Sequence, residues 1–100
     1  MRARDIVRQI QEETGARTAS EALAALNACV REEDLGEAEG ASWPCRCGRW
    51  VVRYARGLSD ALRELVLGHE LAHWWFVFRA RGRGPADLER ACDEVAVAFL

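Results

Sequence analysis

The chain has 100 residues, half of them apolar, and a formal net charge of -2 with acidic and basic residues interspersed. That length supports one domain with a modest core, and the lack of a basic excess argues against direct contact with nucleic acid. No apolar run approaches the roughly 18 residues of a spanning helix, and the start MRARDIVRQIQEETG has no apolar stretch like that of a secretory signal, so a cytoplasmic protein off the membrane is expected.

Ile6, Val7 and Ile10 form an apolar stripe at helical spacing, which predicts a helix over Ala3 to Thr14, ended by Gly15. Ser20 then reads as the N-cap of a second, short helix carrying Ala22, Leu23 and Leu26. From Cys29 to Arg31 the chain leaves as a strand, the alternative being a helix continued to Glu33. Leu35 to Gly40 is acidic and glycine-containing, hence a loop.

In WPCRCGRWVVRY, Cys47-Gly48 suits a turn between two short runs. Arg49 to Tyr54 is β-branched and aromatic and is the best strand in the chain. A hairpin follows, joined by the Cys29 strand into a small antiparallel sheet of about three strands. Pro44 belongs at an edge or an irregular position. An exposed edge near Arg49 to Tyr54 could take an extended peptide as an added strand.

Ser59 is the expected N-cap of a long helix reaching Phe78. Leu62, Leu65, Val66, His69, Ala72, His73 and Phe76 make one stripe, and Leu67, Leu71, Trp74 and Phe78 fill the next, so this helix is buried. Trp74 and Trp75 are adjacent and cannot face one way, which predicts one of them at the surface. Arg79 to Gly84 breaks the helix. The basic part, to Arg83, reads as a solvated loop or as a grip for an acidic partner. Pro85 suits the first turn of a final helix running to Leu100, with Leu88, Cys92, Val95 and Phe99 inward. The expected fold is α+β: N-terminal helices, a short sheet, a buried central helix and a C-terminal helix.

The chemistry is concentrated in HELAH, His69 to His73. Two histidines four apart on a helix lie on one face, one turn apart, and can reach one Zn²⁺ together. Glu70 falls beside the metal rather than on it, where a carboxylate can act as general base toward water. A catalytic zinc needs a third protein ligand. Glu89 on the final helix is the candidate, with Asp87 or Asp93 as alternatives, and no third histidine exists. Asp93, four residues after Glu89, can accept the other ring N–H of a ligating histidine. Tyr54, or an arginine, is the candidate oxyanion donor; the plainer role of Tyr54 is a strand aromatic in the core. A closed structural site of Cys45, Cys47, His69 and His73 is a rival. With no signal peptide, Cys29, Cys45, Cys47 and Cys92 are expected to be free thiols.

HELAH followed by ERACDEVA resembles the gluzincin metallopeptidases and, among them, the ImmA/IrrE family. That family has a HExxH helix preceded by a small antiparallel sheet and followed by an E-x-x-A-(D/N)-x-F-A-like helix. Glu89, Asp93 and Ala96 keep that spacing, with Cys92 in the Ala place and Val95 in the Phe place. The resemblance covers about Gly57 to Leu100. It implies a zincin-like domain and a zinc-dependent endopeptidase whose protein substrate is a helix-turn-helix repressor, with His69, His73 and Glu89 on zinc and Asp93 behind them. The alternative is a zinc-stabilised regulatory or binding domain without peptidase activity.

Overall fold

The computed structural model describes residues 1–81 and 84–100. These described residues form four helices and a three-stranded sheet: α1 (Ala3–Thr14), α2 (Ala19–Ala25), β1 (Cys29–Glu33), β2 (Gly40–Pro44), β3 (Trp50–Ala55), α3 (Asp60–Phe78) and α4 (Leu88–Ala98). The α+β class and the succession of elements are those expected.

Local chemistry sets most boundaries. Gly15 ends α1 in the left-handed region (φ 72°), where glycine meets no Cβ penalty. Thr18, not Ser20, caps α2. Its Oγ1 accepts from the Glu21 amide at 3.1 Å and donates to the Glu21 carboxylate at 3.0 Å, a side-chain cap that overrides the Ser20 signal. Ser59 caps α3 as expected, accepting from the Leu62 amide. Asp87 caps α4, so the helix begins at Leu88, and Pro85 lies ahead of it rather than in its first turn.

The sheet order is β1-β3-β2. β2 and β3 form the expected hairpin, with Ser42 opposite Val52. The antiparallel expectation fails for β1, which runs parallel to β3, Val30 opposite Val52. The reason is directional. Successive strands run up, down and up, but β3 enters between β1 and β2, so the two upward strands become neighbours. As the most apolar strand, with Trp50, Val51 and Val52 all buried, β3 is satisfied best at the centre. The edge once expected at Arg49 to Tyr54 is therefore paired on both sides, and the free edges belong to β1 and β2.

α3 lies against β2 and β3 and is covered by α2 and α4, while α1 closes against α2 and α4. It is buried over much of its circumference, from Val66 to Phe76. Leu71 and Ala72 are fully enclosed, with Ile10, Leu23, Val52, Cys92 and Val95 around the same core. Trp74 and Trp75 are both buried, against expectation, because α3 has neighbours on opposite sides. Phe78 sits edge-on to Trp50, with ring centroids 5.9 Å apart, and is also near Trp74. The tryptophan left at the surface is Trp43 on β2, partly screened by the Arg53 guanidinium.

Of the basic stretch after α3, Arg79 stacks on Trp74 and pairs with Glu13 of α1, which occupies it internally. Gly82 and Arg83 lie outside the described residues. No described helix is long and apolar enough to cross a membrane.

Candidate metal centre

Helix geometry places His69 and His73 one turn apart, their ring centroids separated by 5.0 Å. α4 crosses this face and brings three donors to it. Glu89 reaches both imidazoles: Oε2 is 2.8 Å from His69 Nε2 and Oε1 is 3.2 Å from His73 Nε2. One turn further along, Asp93 Oδ1 is 2.7 Å from His69 Nδ1. Cys92 lies behind the histidines, and its sulfur and one nitrogen of each ring lie within 4.8 Å of one another. His69, His73 and Cys92 thus form a group that could hold a metal ion.

The close α3–α4 crossing needs small residues. A Cβ at Gly68 would stand 2.9 Å from the Ala96 Cα, so glycine on α3 and alanine on α4 let the backbones approach.

Glu70 turns toward the sheet and, among the described residues, is the one buried charged side chain. Its Oε1 accepts a 2.5 Å hydrogen bond from Ser42 Oγ on β2, and its backbone carbonyl accepts from Trp50 Nε1 at 3.2 Å. Gly40, two residues before Ser42 on the same face, makes room. A Cβ there would stand 3.0 Å from Glu70 Oε2 and 2.6 Å from Val66 Cγ1. A cleft of about 410 Å³ opens beside these groups. His69, Glu70 and Asp93 are on its polar side, and Leu62, Leu65, Val66 and Val97 on its apolar side.

Burial pushes the Cys92 thiol up to about 12, and the nearby charges of Glu89, Glu70 and Asp93 add to the effect. Two carboxylates, Glu89 and Asp93, stand against two imidazoles, with Glu70 along the same cleft, a donor set of the kind that could hold a divalent cation.

The structure thus brings together His69, Glu70, His73, Glu89 and Asp93. It does not bring Tyr54 to them. Tyr54 packs against the core and lines a separate cavity with Val30, Arg63 and Leu67. Asp87 is occupied as the α4 cap. Cys45 and Cys47 sit in the β2–β3 turn rather than with the histidines. All four cysteines are free thiols, as expected.

Ser42 and Gly40 were missed in the sequence. Gly40 did carry a signal, since glycine within a strand marks a close approach. It was assigned to the loop, and Ser42 acquires meaning only once the register turns it toward α3. No known family matches the sequence, and no curated protein matches it.

Proposed function

We propose that the protein is a zinc-dependent endopeptidase of the gluzincin type, in which His69, His73 and Glu89 hold the metal. The observation that carries this reading is the arrangement of Glu89, whose two carboxylate oxygens face the Nε2 atoms of both histidines. Glu89 is a better third ligand than Cys92 because it approaches from the open side, whereas the Cys92 side chain is fully enclosed in the core.

Asp93 supports the assignment. It engages His69 Nδ1, which leaves Nε2 of that ring for the metal and fixes the ring's orientation. When bound, zinc supplies Lewis acidity, which makes water a nucleophile near neutral pH and polarises a carbonyl. Glu70 takes the proton from water and returns it to the leaving amine. Ser42 holds the Glu70 carboxylate in place while it does so. The outer edge of β2 runs beside this cleft and offers unpaired backbone groups to an extended peptide. The protein substrate expected from the resemblance is a helix-turn-helix repressor, cut in the cytoplasm.

The test separates metal from chemistry. Purified wild type should contain one zinc per chain and cleave either a helix-turn-helix repressor or casein. Glu70→Gln should keep the zinc and lose the cleavage; unchanged cleavage would remove Glu70 as the base. Glu89→Ala should lose zinc and Cys92→Ser should keep it. The opposite result would give the third position to the thiol.

One observation favours a second reading. Tyr54 is elsewhere, and among the described residues lining the cleft there is no tyrosine or arginine to stabilise an oxyanion. A zinc-stabilised binding domain without peptidase activity fits that gap. It predicts full zinc occupancy with no cleavage of either substrate.

A further inference from the structure

Two thiols take no part in the proposed centre and lie together. Cys45 and Cys47 flank Arg46 in the tight turn that joins β2 to β3. Two backbone hydrogen bonds close the turn. The Cys45 amide donates to the Arg49 carbonyl at 2.7 Å, and the Gly48 amide donates to the Cys45 carbonyl at 2.9 Å. Gly48 adopts φ 89°, the left-handed residue that completes a three-residue hairpin loop. The sulfurs are therefore not needed to hold the turn.

Their placement is specific. The Cys47 amide donates to Cys45 Sγ at 3.4 Å, which turns the Cys45 side chain back over the loop toward Cys47. Cα atoms two residues apart stand roughly 5.5–7.3 Å apart, the short end applying in a turn, and disulfides need roughly 4.4–6.8 Å. On a regular strand the pair would sit at the long end, out of easy reach.

The four thiols are unequal. Cys92 is fully enclosed and held protonated, and Cys29 is half-buried on β1. Cys47 is exposed, and its thiol lies below the ordinary value. A hydrogen bond with Cys45 is the main cause, with a backbone hydrogen bond at Arg49 and the Arg49 charge adding to it. Accessible thiolate is what reacts with disulfides.

We infer that Cys45 and Cys47 form a thiol–disulfide exchange site that closes reversibly into a bridge across the hairpin turn. The Cys47 thiolate attacks a low-molecular-weight disulfide such as glutathione disulfide. The S–S bond breaks, and one glutathione thiolate leaves and takes a proton from water. The Cys45 thiol gives its proton to water and attacks the mixed disulfide at the Cys47 sulfur, releasing the second glutathione. The two protein thiols are oxidised, and one glutathione disulfide is reduced to two glutathiones. The product encloses a single residue, so little loop-closure entropy favours it. An exposed bridge of this kind is of the labile, easily reduced sort.

The experiment is an equilibration of reduced protein with glutathione buffers of rising disulfide fraction, followed by acid quench, alkylation after unfolding, and peptide mass mapping. The expected product is a Cys45–Cys47 disulfide, with Cys29 and Cys92 still alkylated. Cys45→Ser should stop at a mixed disulfide on Cys47. Cys47→Ser should react at Cys45 at least about tenfold more slowly than wild type reacts at Cys47. Both positions lie in a surface turn, and far-UV circular dichroism should match wild type. Four unmodified thiols, a wild type that halts at the mixed disulfide, or a bridge involving Cys29 would overturn the inference.

Discussion

Two small residues on β2 decide where Glu70 points. Gly40 leaves the space and Ser42 supplies the donor, so the carboxylate is held toward the sheet while the histidines on the same helix face α4. A methyl group at position 40 would stand 2.6 Å from Val66 Cγ1 and 3.0 Å from Glu70 Oε2. Gly40→Ala should therefore displace the carboxylate and slow the proposed peptide hydrolysis by about 10²-fold, the cost of misplacing a catalytic group by about an ångström. Zinc content should not change, because none of the proposed ligands touches Gly40. Parallel measurement of hydrolysis and metal stoichiometry checks this, and loss of both together would mean that the whole site had been disturbed. HELAH announced its own chemistry because helix spacing alone puts His69 and His73 on one face. Glu89 and Asp93 were legible for the same reason, being four apart on a helix. Ser42 was not, since strand residues reach a helix only through register, and register is a property of three strands together. Tyr54 shows the same limit: its strand and its plainer role as a core aromatic are legible, but not the cavity into which that strand delivers it.

At the scale of elements, the candidate metal centre is a property of the α3–α4 crossing. α3 supplies the two imidazoles and α4 supplies the carboxylates, and neither helix holds the set alone. Gly68 against Ala96 fixes how closely they approach. A Cβ at position 68 would meet the Ala96 Cα at 2.9 Å, and a backbone atom cannot rotate aside. Gly68→Ala should destabilise the protein by about 1–3 kcal/mol, read as a lower urea midpoint. It should also weaken zinc binding, because separating the helices draws Glu89 away from the histidines. A variant as stable as wild type would show that α4 shifts without cost. The helices were largely readable in advance because apolar period and caps are local. The pairing of β1 was not. Strand propensity fixes which segments extend, but the insertion of β3 between β1 and β2 depends on which strand most needs burial on both sides.

At the scale of the whole molecule, side-chain pairs join elements distant in the chain. One is the pair between Glu13 at the end of α1 and Arg79 just past α3. The Arg79 guanidinium, hydrogen-bonded to Glu13, holds that carboxyl below its ordinary value of about 4.3. A lowered folded value stabilises the protein above the unfolded value and is lost as pH falls through the folded one. Both side chains are more than a third exposed, so the contribution is under about 1 kcal/mol. Glu13→Gln should cost that much at pH 7 in urea unfolding, and the difference from wild type should shrink as pH falls below the ordinary glutamate range.

The larger tie is the proposed metal. Two carboxylates, Glu89 and Asp93, stand directly against the two imidazoles. A cation at Glu89 and the histidines would offset the carboxylate charge and cross-link the two successive helices α3 and α4. Because the donors converge only when α3 and α4 are packed, the ion binds the folded state and stabilises it, by about 2.7 kcal/mol at a free concentration 100 times Kd. In a domain this small each kcal/mol moves the melting temperature by roughly 4–8 °C. Chelation should therefore lower the melting temperature of the zinc-loaded protein by about 10–20 °C, and added zinc should restore it. Glu89→Ala should melt at the same temperature with and without chelator. If wild type is equally indifferent, the five residues gathered at the crossing do not hold a metal that the fold depends on. If Glu89→Ala still responds as strongly as wild type, the ion is held by the histidines with Cys92 instead.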